Sequence, residues 1–199
     1  MQSSELAGIL TFLREAERLK NTIRSSHTSE GRPESVAEHT WRLCLMALVF
    51  EEQYTDVDFA RLIKICIIHD LGEAIGGDIP APKQVEAGGK AASERADLLK
   101  LLTPLPQRQR AEIVELWDEY ESASTAEAKL AKALDKLETI LQHNQGRNPS
   151  DFDYRFNLEY GTRYTADDAL IVEIRRLLDQ ETEERARDVE GVRGASENR

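Results

Sequence analysis

Two of the four histidines in this chain of 199 residues suggest chemistry by their place in the sequence. His69 is followed by Asp70, and the pair ends a run of aliphatic residues at the entrance to a glycine-rich segment. A buried carboxylate beside an imidazole is costly unless a partner compensates it. A divalent cation would compensate both groups, and a hydrogen-bonded Asp–His pair is the simpler alternative.

His39 and Asp135 extend this set. His39 lies on a predominantly apolar helix face, where a single histidine is more often a core residue than a ligand. Asp135 flanks a leucine stripe and reads equally well as a boundary carboxylate. Together with His69 and Asp70, they make two imidazoles and two carboxylates, which suit Mn²⁺, Fe²⁺, Co²⁺ or Zn²⁺ better than Ca²⁺.

The segments that contain these residues have apolar residues at helical spacing, which predicts helices. The predicted helices cover residues 4–22, 36–52, 59–68, 91–102, 107–121, 126–142 and 165–187. A capping box formed by Ser35 and Glu38 begins the helix of His39, and a second is expected at Ser124 and Glu127. The sequence therefore predicts a compact all-α domain of six or seven helices over 1–188, followed by a disordered tail at 189–199.

The segment from Leu71 to Gly89 contains five glycines and two prolines and does not fit a regular helix. A long loop directly after the most apolar helix is more often functional than idle. We therefore expect this loop to contribute to a site together with His69 and Asp70.

Composition restricts the partners. With 26 Lys plus Arg against 37 Asp plus Glu, the formal charge is −11, which argues against nucleic acid or an anionic membrane surface. A small anionic substrate would need a local cluster of positive charge. Cys44 and Cys66 lie in apolar runs and indicate buried, reduced thiols, and the N-terminal residues do not resemble a signal peptide, so a cytoplasmic protein is expected.

Two segments carry a resemblance to a known family. Pro33 to Arg42 reads PESVAEHTWR, and His69 to Pro80 reads HDLGEAIGGDIP. Followed by Asp135, they resemble the HD superfamily of metal-dependent phosphohydrolases, and in particular the bacterial 5′-deoxynucleotidase branch and its eukaryotic HD-domain relatives. The resemblance covers about residues 10–180.

The resemblance implies hydrolysis of deoxyribonucleoside 5′-monophosphates to deoxynucleoside and phosphate, with one divalent metal ion held by His39, His69, Asp70 and Asp135. The metal would polarise the phosphoryl oxygens and lower the pKa of a bound water. Glu73 matches the position that orients or deprotonates the attacking water, although it also reads as an ordinary carboxylate at a loop entrance.

Asp78 matches a second acidic position near the sugar and the leaving oxygen, or is a turn residue after two glycines. Arg24 is the candidate phosphate contact because a guanidinium can bind phosphate with two hydrogen bonds, whereas a surface arginine is the alternative. Arg32 and Lys83 are weaker candidates for the same role. His27 stands where the family often has an aromatic residue, which bears on the preference for deoxyribose and on the base preference.

Two other functions fit the same pattern. One is another HD-type hydrolase acting on a phosphodiester or a nucleoside polyphosphate, although Ala74 departs from the His-Asp-x-x-Glu-Asp pattern of guanosine polyphosphate hydrolases. The other is a nucleotide-binding module without activity, against which the intact set of candidate residues argues. The family resemblance also suggests a homodimer.

Overall fold

A computed structural model describes residues 2–79 and 89–197. Within these ranges, seven helices have ten or more residues, which agrees with the predicted all-α class. They are α1 (Ser3–Ala16), α2 (Val36–Val49), α3 (Phe59–Ile68), α5 (Lys90–Leu101), α6 (Gln107–Ser122), α7 (Ala126–Gln145) and α9 (Ala169–Glu197), and the one-turn helices are α4 (Glu73–Gly76) and α8 (Phe156–Glu159).

The chain divides into two compact units. The first comprises Met1–Ser25 and Glu34–Ala131, and the second comprises Ser26–Pro33 and Lys132–Arg199. In the first unit α2 packs on α3, α3 packs on α6, and α4 packs on α5. The single domain over 1–188 stays a prediction.

Each unit has its own apolar core. The fully buried large side chains of the first unit include Leu43, Ile65, Leu98 and Leu102. Those of the second unit are Leu134, Leu137, Ile140 and Ile171, which follow the predicted stripe of α7 and the start of α9. Cys66 is buried as expected, whereas Cys44 is only half-buried.

Helix starts follow the expected chemistry with one exception. Ser35 and Glu38 form the predicted capping box of α2, and Asp58 caps α3 by accepting a hydrogen bond from the backbone of Arg61. The second predicted capping box is wrong, because Thr125 caps α7 by accepting from the Ala128 backbone N–H. Glu127 accepts a hydrogen bond from the Asp58 backbone instead, at 2.9 Å.

Helix ends differ more from the predictions. The first helix, expected over 4–22, ends at Ala16 and continues as a 3₁₀ turn over Glu17–Lys20. The polar segment that follows contains a two-stranded ribbon, β1 (Ile23–His27) and β2 (Pro33–Ser35), which the periodicity did not indicate.

The last helix, expected to end near 187, continues to Glu197, past the start of the expected tail. Ala186 is buried, and Arg155 pairs with Glu190 at 2.7 Å, so contacts within the second unit support this extension. In the described part of the chain, no helix is both long enough and apolar enough to cross a membrane.

Candidate metal centre and active site

His39 projects from the first turn of α2 and is fully buried. The helix begins where it does because the Ser35 hydroxyl accepts a hydrogen bond from the Glu38 backbone while the Glu38 carboxylate accepts one from the Ser35 backbone. The capping box thus fixes the start of the helix one turn before the imidazole.

His69 stands at the C-cap of α3, where its ring is held in one orientation. Its Nδ1 lies 2.8 Å from the Cys66 carbonyl oxygen, and the Trp117 indole N–H donates to the His69 carbonyl at 3.1 Å. Because a carbonyl oxygen only accepts, Nδ1 must carry the proton, and in the neutral ring Nε2 presents a lone pair. A metal-ligating histidine commonly has this second contact.

His39, His69 and Asp70 form a cluster in which one ligand atom from each lies within 4.8 Å of the others. The Oδ2 atom of Asp70 lies 3.0 Å from His69 Nε2 and 3.9 Å from His39 Nε2. Among the described residues, His69 Nε2 is buried and makes no hydrogen bond. A lone pair facing a carboxylate oxygen is repulsive, and a cation between them resolves the repulsion, so the donor set fits a divalent metal better than a hydrogen-bonded pair.

Asp135 lies on α7 in the second unit and is buried. The ammonium of Lys136 lies 2.7 Å from its Oδ2. Burial alone would lower the pKa of Lys136, but the Asp135 carboxylate and Tyr160 outweigh this and raise it. The role of Asp135 as the fourth ligand stays a prediction.

Glu73 lies at the start of α4, one turn after Asp70, and only 5% of it is exposed. Its Oε2 is buried without a hydrogen bond among the residues that the structure describes. Burial, and then the charges of Asp70 and Asp78, raise the pKa of Glu73 to about 10. A divalent cation nearby would lower this pKa and return the carboxylate to the ionised state that a proton acceptor needs.

Two glycines bring α5 against the turn that carries Glu73. A Cβ at Gly72 would lie 2.6 Å from the Glu94 carbonyl oxygen, and one at Gly76 would lie 2.8 Å from Asp97 Oδ2. The contact at Gly72 is with backbone and excludes a side chain there, whereas the Asp97 carboxylate near Gly76 can rotate away. As a result Lys90, the first residue of α5, places its Nζ 3.6 Å from Glu73 Oε1 and 3.1 Å from Glu94 Oε1.

Asp78 follows α4 and is half-buried. Burial raises the pKa of Asp78 and Asp70 adds to the rise, while the positive charge of Arg24 opposes it. The carboxyl therefore belongs to the same electrostatic environment as Asp70 and Glu73. Its assignment to the sugar and leaving oxygen stays a prediction.

Arg24 lies on β1 with its Nη1 3.7 Å from Asp70 Oδ2 and its Nε 3.5 Å from Glu34 Oε2. Glu34 lies on β2 and is 3% exposed, so the guanidinium stands between a buried carboxylate and the cluster. The proposed phosphate contact is thus beside the candidate metal ligands. Its contact with phosphate stays a prediction.

The weaker candidates for contacts with the substrate are not shown at the cluster, or lie outside the described residues. The guanidinium of Arg32 donates to the Pro33 carbonyl at 3.0 Å. The carbonyl of His27 accepts a hydrogen bond from the side chain of Gln142, within the second unit. Lys83 falls outside the described residues, as does the part of the glycine-rich loop from 80 to 88.

Sequence reasoning missed Lys90 and Glu34. Lys90 lies outside the two segments that carry the family resemblance, and Glu34 lies in the first of them without having been singled out. Each reaches the cluster through a tertiary contact that a linear pattern does not show. The only local signal was the pair of glycines at 72 and 76, which indicates a close backbone approach without saying to what.

Comparison with known proteins shows the family of this chain. The HD domain family model matches residues 16–175. The chain belongs to the HD domain family. This confirms the expected resemblance and the fold class.

Curated relatives share this domain. The chain is 37% identical to the 5′-deoxynucleotidase HDDC2 of Bos taurus over 139 residues, which cover 69% of this chain and 67% of that protein. It is 36% identical to the 5′-deoxynucleotidase hdd1 of Schizosaccharomyces pombe over 148 residues, which cover 71% and 74% of the two chains.

A solved structure supports the same assignment. The fold matches a crystal structure from Magnetospirillum magnetotacticum, described as a predicted metal-dependent phosphohydrolase, with a TM-score of 0.80 and 30% identity. The match covers 92% of this chain and 94% of the other.

Proposed function

We propose that this protein is a metal-dependent phosphomonoesterase that hydrolyses deoxyribonucleoside 5′-monophosphates to nucleoside and phosphate. Membership of the HD domain family and the similarity to curated 5′-deoxynucleotidases support this activity. One structural observation carries it: the lone pair of His69 Nε2 faces Asp70 Oδ2 at 3.0 Å in a buried site. A cation is the simplest compensation for that arrangement.

His39, His69 and Asp70 would hold one divalent metal ion. Asp135 is the predicted fourth ligand, and Mn, Co, Fe and Zn all suit this mixed donor set. When bound, the metal acts as a Lewis acid toward the phosphoryl oxygens and lowers the pKa of a water. The Cys66 carbonyl holds the His69 ring so that Nε2 points to the site.

Glu73 accepts the proton of the attacking water. Its Oε2 is buried and has no hydrogen bond among the described residues, so it has capacity to accept one. The bond that forms joins the water oxygen to phosphorus, and the bond that breaks joins phosphorus to the 5′ oxygen of the sugar. Asp78 acts near that leaving oxygen, and Arg24 binds the phosphate.

The remaining expectations belong to the same proposal. We place the enzyme in the cytoplasm as a homodimer. Trp41, Leu45 and Leu48 follow one another at helical spacing on α2 and are exposed, which supports a self-association surface. Sedimentation equilibrium would give a mass of about twice 22.5 kDa for a dimer.

The experiment is a metal analysis combined with a substrate screen. Protein loaded with Mn²⁺ or Co²⁺ is incubated with deoxyribonucleoside and ribonucleoside 5′-monophosphates, diphosphates and triphosphates, and phosphate release is measured. We expect turnover of the deoxyribonucleoside monophosphates. No turnover of any of these compounds by the metal-loaded protein would contradict the proposal.

Arg24→Ala tests the phosphate contact in the same assay. Its KM for monophosphates rises by about tenfold or more, because a charge-assisted hydrogen bond is lost, while the metal content stays that of the parent. Arg18→Ala is the control, since Arg18 is exposed and pairs with Glu15, three residues earlier in the chain. An unchanged KM in Arg24→Ala places the phosphate contact elsewhere.

A further inference from the structure

Lys90 is the cation that lies beside Glu73, and the proposed function leaves it without a role. It begins α5, and about a quarter of its side chain, 23%, is exposed. Its Nζ lies 3.6 Å from Glu73 Oε1 and 3.1 Å from Glu94 Oε1. The ammonium is thus held beside Glu73 and Glu94, and part of the Lys90 side chain is accessible to solvent.

The packing of α5 against α4 places Lys90 beside Glu73. The missing side chains of Gly72 and Gly76 allow α5 to lie directly against the turn of Glu73, since a Cβ at either position would lie under 3 Å from atoms of α5. Glu94 stands one turn after Lys90 on the same helix and pairs with it. The position of the ammonium therefore follows from helix packing as well as from a flexible side chain.

The charge of the site calls for a second cation. Lys90 interacts electrostatically with Glu94, Glu73 and Asp70, and with Asp78 as well. Arg24 pairs with the buried Glu34 and with Asp70. A phosphate monoester carries close to two negative charges at neutral pH. The phosphate must bind close to these carboxylates, which repel it. Cations next to the bound phosphoryl oxygens reduce this electrostatic repulsion.

The geometry points to Lys90 as a second phosphate-binding residue, on the Glu73 side of the candidate metal centre. This inference rests on the proposed function, because it concerns the same substrate. A water that gives its proton to Glu73 stands next to the phosphorus atom it attacks, so the phosphoryl oxygens come close to the Lys90 ammonium. An ammonium has three donors, and lysine binds phosphate as a compact point charge.

The alternative role is purely structural: Lys90 would join α5 to α4 through its ion pairs. The two roles differ in what they predict for ligands with and without a phosphate. A structural lysine affects phosphate and nucleoside binding together, or neither. A phosphate-binding lysine affects phosphate alone.

The test compares Lys90→Ala, Lys90→Gln and Lys90→Arg with Lys100→Ala. Lys100 is the matched control, since it also lies on α5 and pairs with a carboxylate of the same helix, Asp97, at 2.8 Å, but is 68% exposed. In metal-loaded protein, calorimetry measures the Kd of inorganic phosphate and of deoxyadenosine, which lacks a phosphate. Bound metal and thermal unfolding are measured for each variant.

We expect Lys90→Ala and Lys90→Gln to raise the Kd of phosphate by about tenfold or more, with unchanged metal content and an unchanged Kd for deoxyadenosine. Lys90→Arg retains part of the affinity, and Lys100→Ala equals the parent. Phosphate affinity within about twofold of the parent in Lys90→Gln overturns the inference. Equal weakening of both ligands, or loss of metal, overturns it as well.

Phosphate binding needs no turnover, so the two proposals fail separately. If the parent binds phosphate through Lys90 but releases none from any nucleotide, the proposed function is wrong and the phosphate contact stands. If nucleotides are hydrolysed and Lys90→Gln binds phosphate normally, the phosphate contact is wrong and the function stands.

Discussion

Arg175 of the second unit and Glu73 of the first are almost equally buried ionisable side chains, at 6% and 5% exposure. Their surroundings are opposite. Arg175 donates to the backbone carbonyls of Asn157, Leu158 and Tyr160 and pairs with Asp179 at 2.7 Å. Glu73 faces the carboxylates of Asp70 and Asp78, and burial together with these charges raises its pKa to about 10.

The two environments indicate different roles: the buried charge of Arg175 stabilises the fold, whereas the buried carboxyl of Glu73 belongs to a candidate active site. A buried charge with every donor matched holds segments together, as Arg175 holds α8 against α9. A buried carboxylate among other carboxylates destabilises the fold until a cation arrives. Perturbed groups of the second kind mark functional sites.

The largest expected effect on stability comes from Arg175→Leu. The change leaves three carbonyls and Asp179 without their donor, so the free energy of unfolding falls by about 3 to 5 kcal/mol. Urea denaturation measures this, and phosphate release per folded molecule stays at the parent value. Arg176→Ala is the control, because Arg176 is half exposed and pairs with the exposed Glu173, so solvent screens the pair and its loss changes stability little. Equal decreases in unfolding free energy in Arg175→Leu and Arg176→Ala would contradict the stabilising role of the buried, hydrogen-bonded Arg175.

Glu73→Gln should show the opposite profile. It removes the proton acceptor, so turnover falls by on the order of 10² while metal content is retained. In the metal-free protein the raised pKa keeps Glu73 protonated, so the neutral amide replaces a neutral carboxyl that must take up a proton on folding, and the unfolding free energy does not fall. Steady-state kinetics, metal analysis and urea denaturation check the three points. Turnover equal to that of the parent would exclude Glu73 from the mechanism.

Gly72→Ala tests the close approach of α4 and α5. Its Cβ would lie 2.6 Å from the Glu94 carbonyl oxygen, so the helices must separate, at a cost of about 1 to 3 kcal/mol in unfolding free energy. Turnover falls as well, since Lys90 moves away from Glu73. Gly191→Ala is the control on α9, where a Cβ meets nothing, and it stabilises by up to about 1 kcal/mol. A neutral Gly72→Ala would show that the approach is not tight.

A further effect is on the pH dependence of stability in chelator-treated protein. Folded Glu73 keeps its proton up to a pKa of about 10, whereas the unfolded chain loses it near 4.5. The folded state binds more protons between these values, so its stability falls as pH rises through this window. Thermal unfolding from about pH 6 to about pH 9 should show a steeper fall in the parent than in Glu73→Gln. Parallel curves would contradict the raised pKa.

The sequence allowed much of the first unit to be predicted. Apolar spacing indicated α2 and α3, and the residue types of His39, His69 and Asp70 at the ends of those helices indicated a metal cluster, which the structure brings within 4.8 Å. The two helices could be predicted because each depends on its own apolar spacing and cap, whereas the role of the clustered residues as metal ligands stays a prediction. Local rules of spacing and capping are enough for such features.

Features that depend on tertiary contacts were not predictable. The ribbon of β1 and β2 has only five and three residues and lacks an alternating apolar pattern, so no strand signal existed. Lys90 reaches Glu73 only because α5 packs against α4. The charge-matched network of Arg175 depends on carbonyls that no sequence pattern identifies.

We expect the His39, His69 and Asp70 cluster to bind a metal ion, and the metal-loaded protein to hydrolyse nucleoside monophosphates. The most direct measurement is phosphate release from dAMP by Mn²⁺-loaded protein, with metal content determined on the same samples, for the parent and Asp70→Asn. We expect release by the parent, and a loss of metal with a fall in turnover on the order of 10³ in the variant, because the Lewis acid supplies several kcal/mol. An Asp70→Asn protein that retains its metal and more than about a tenth of the parent turnover would contradict the claim.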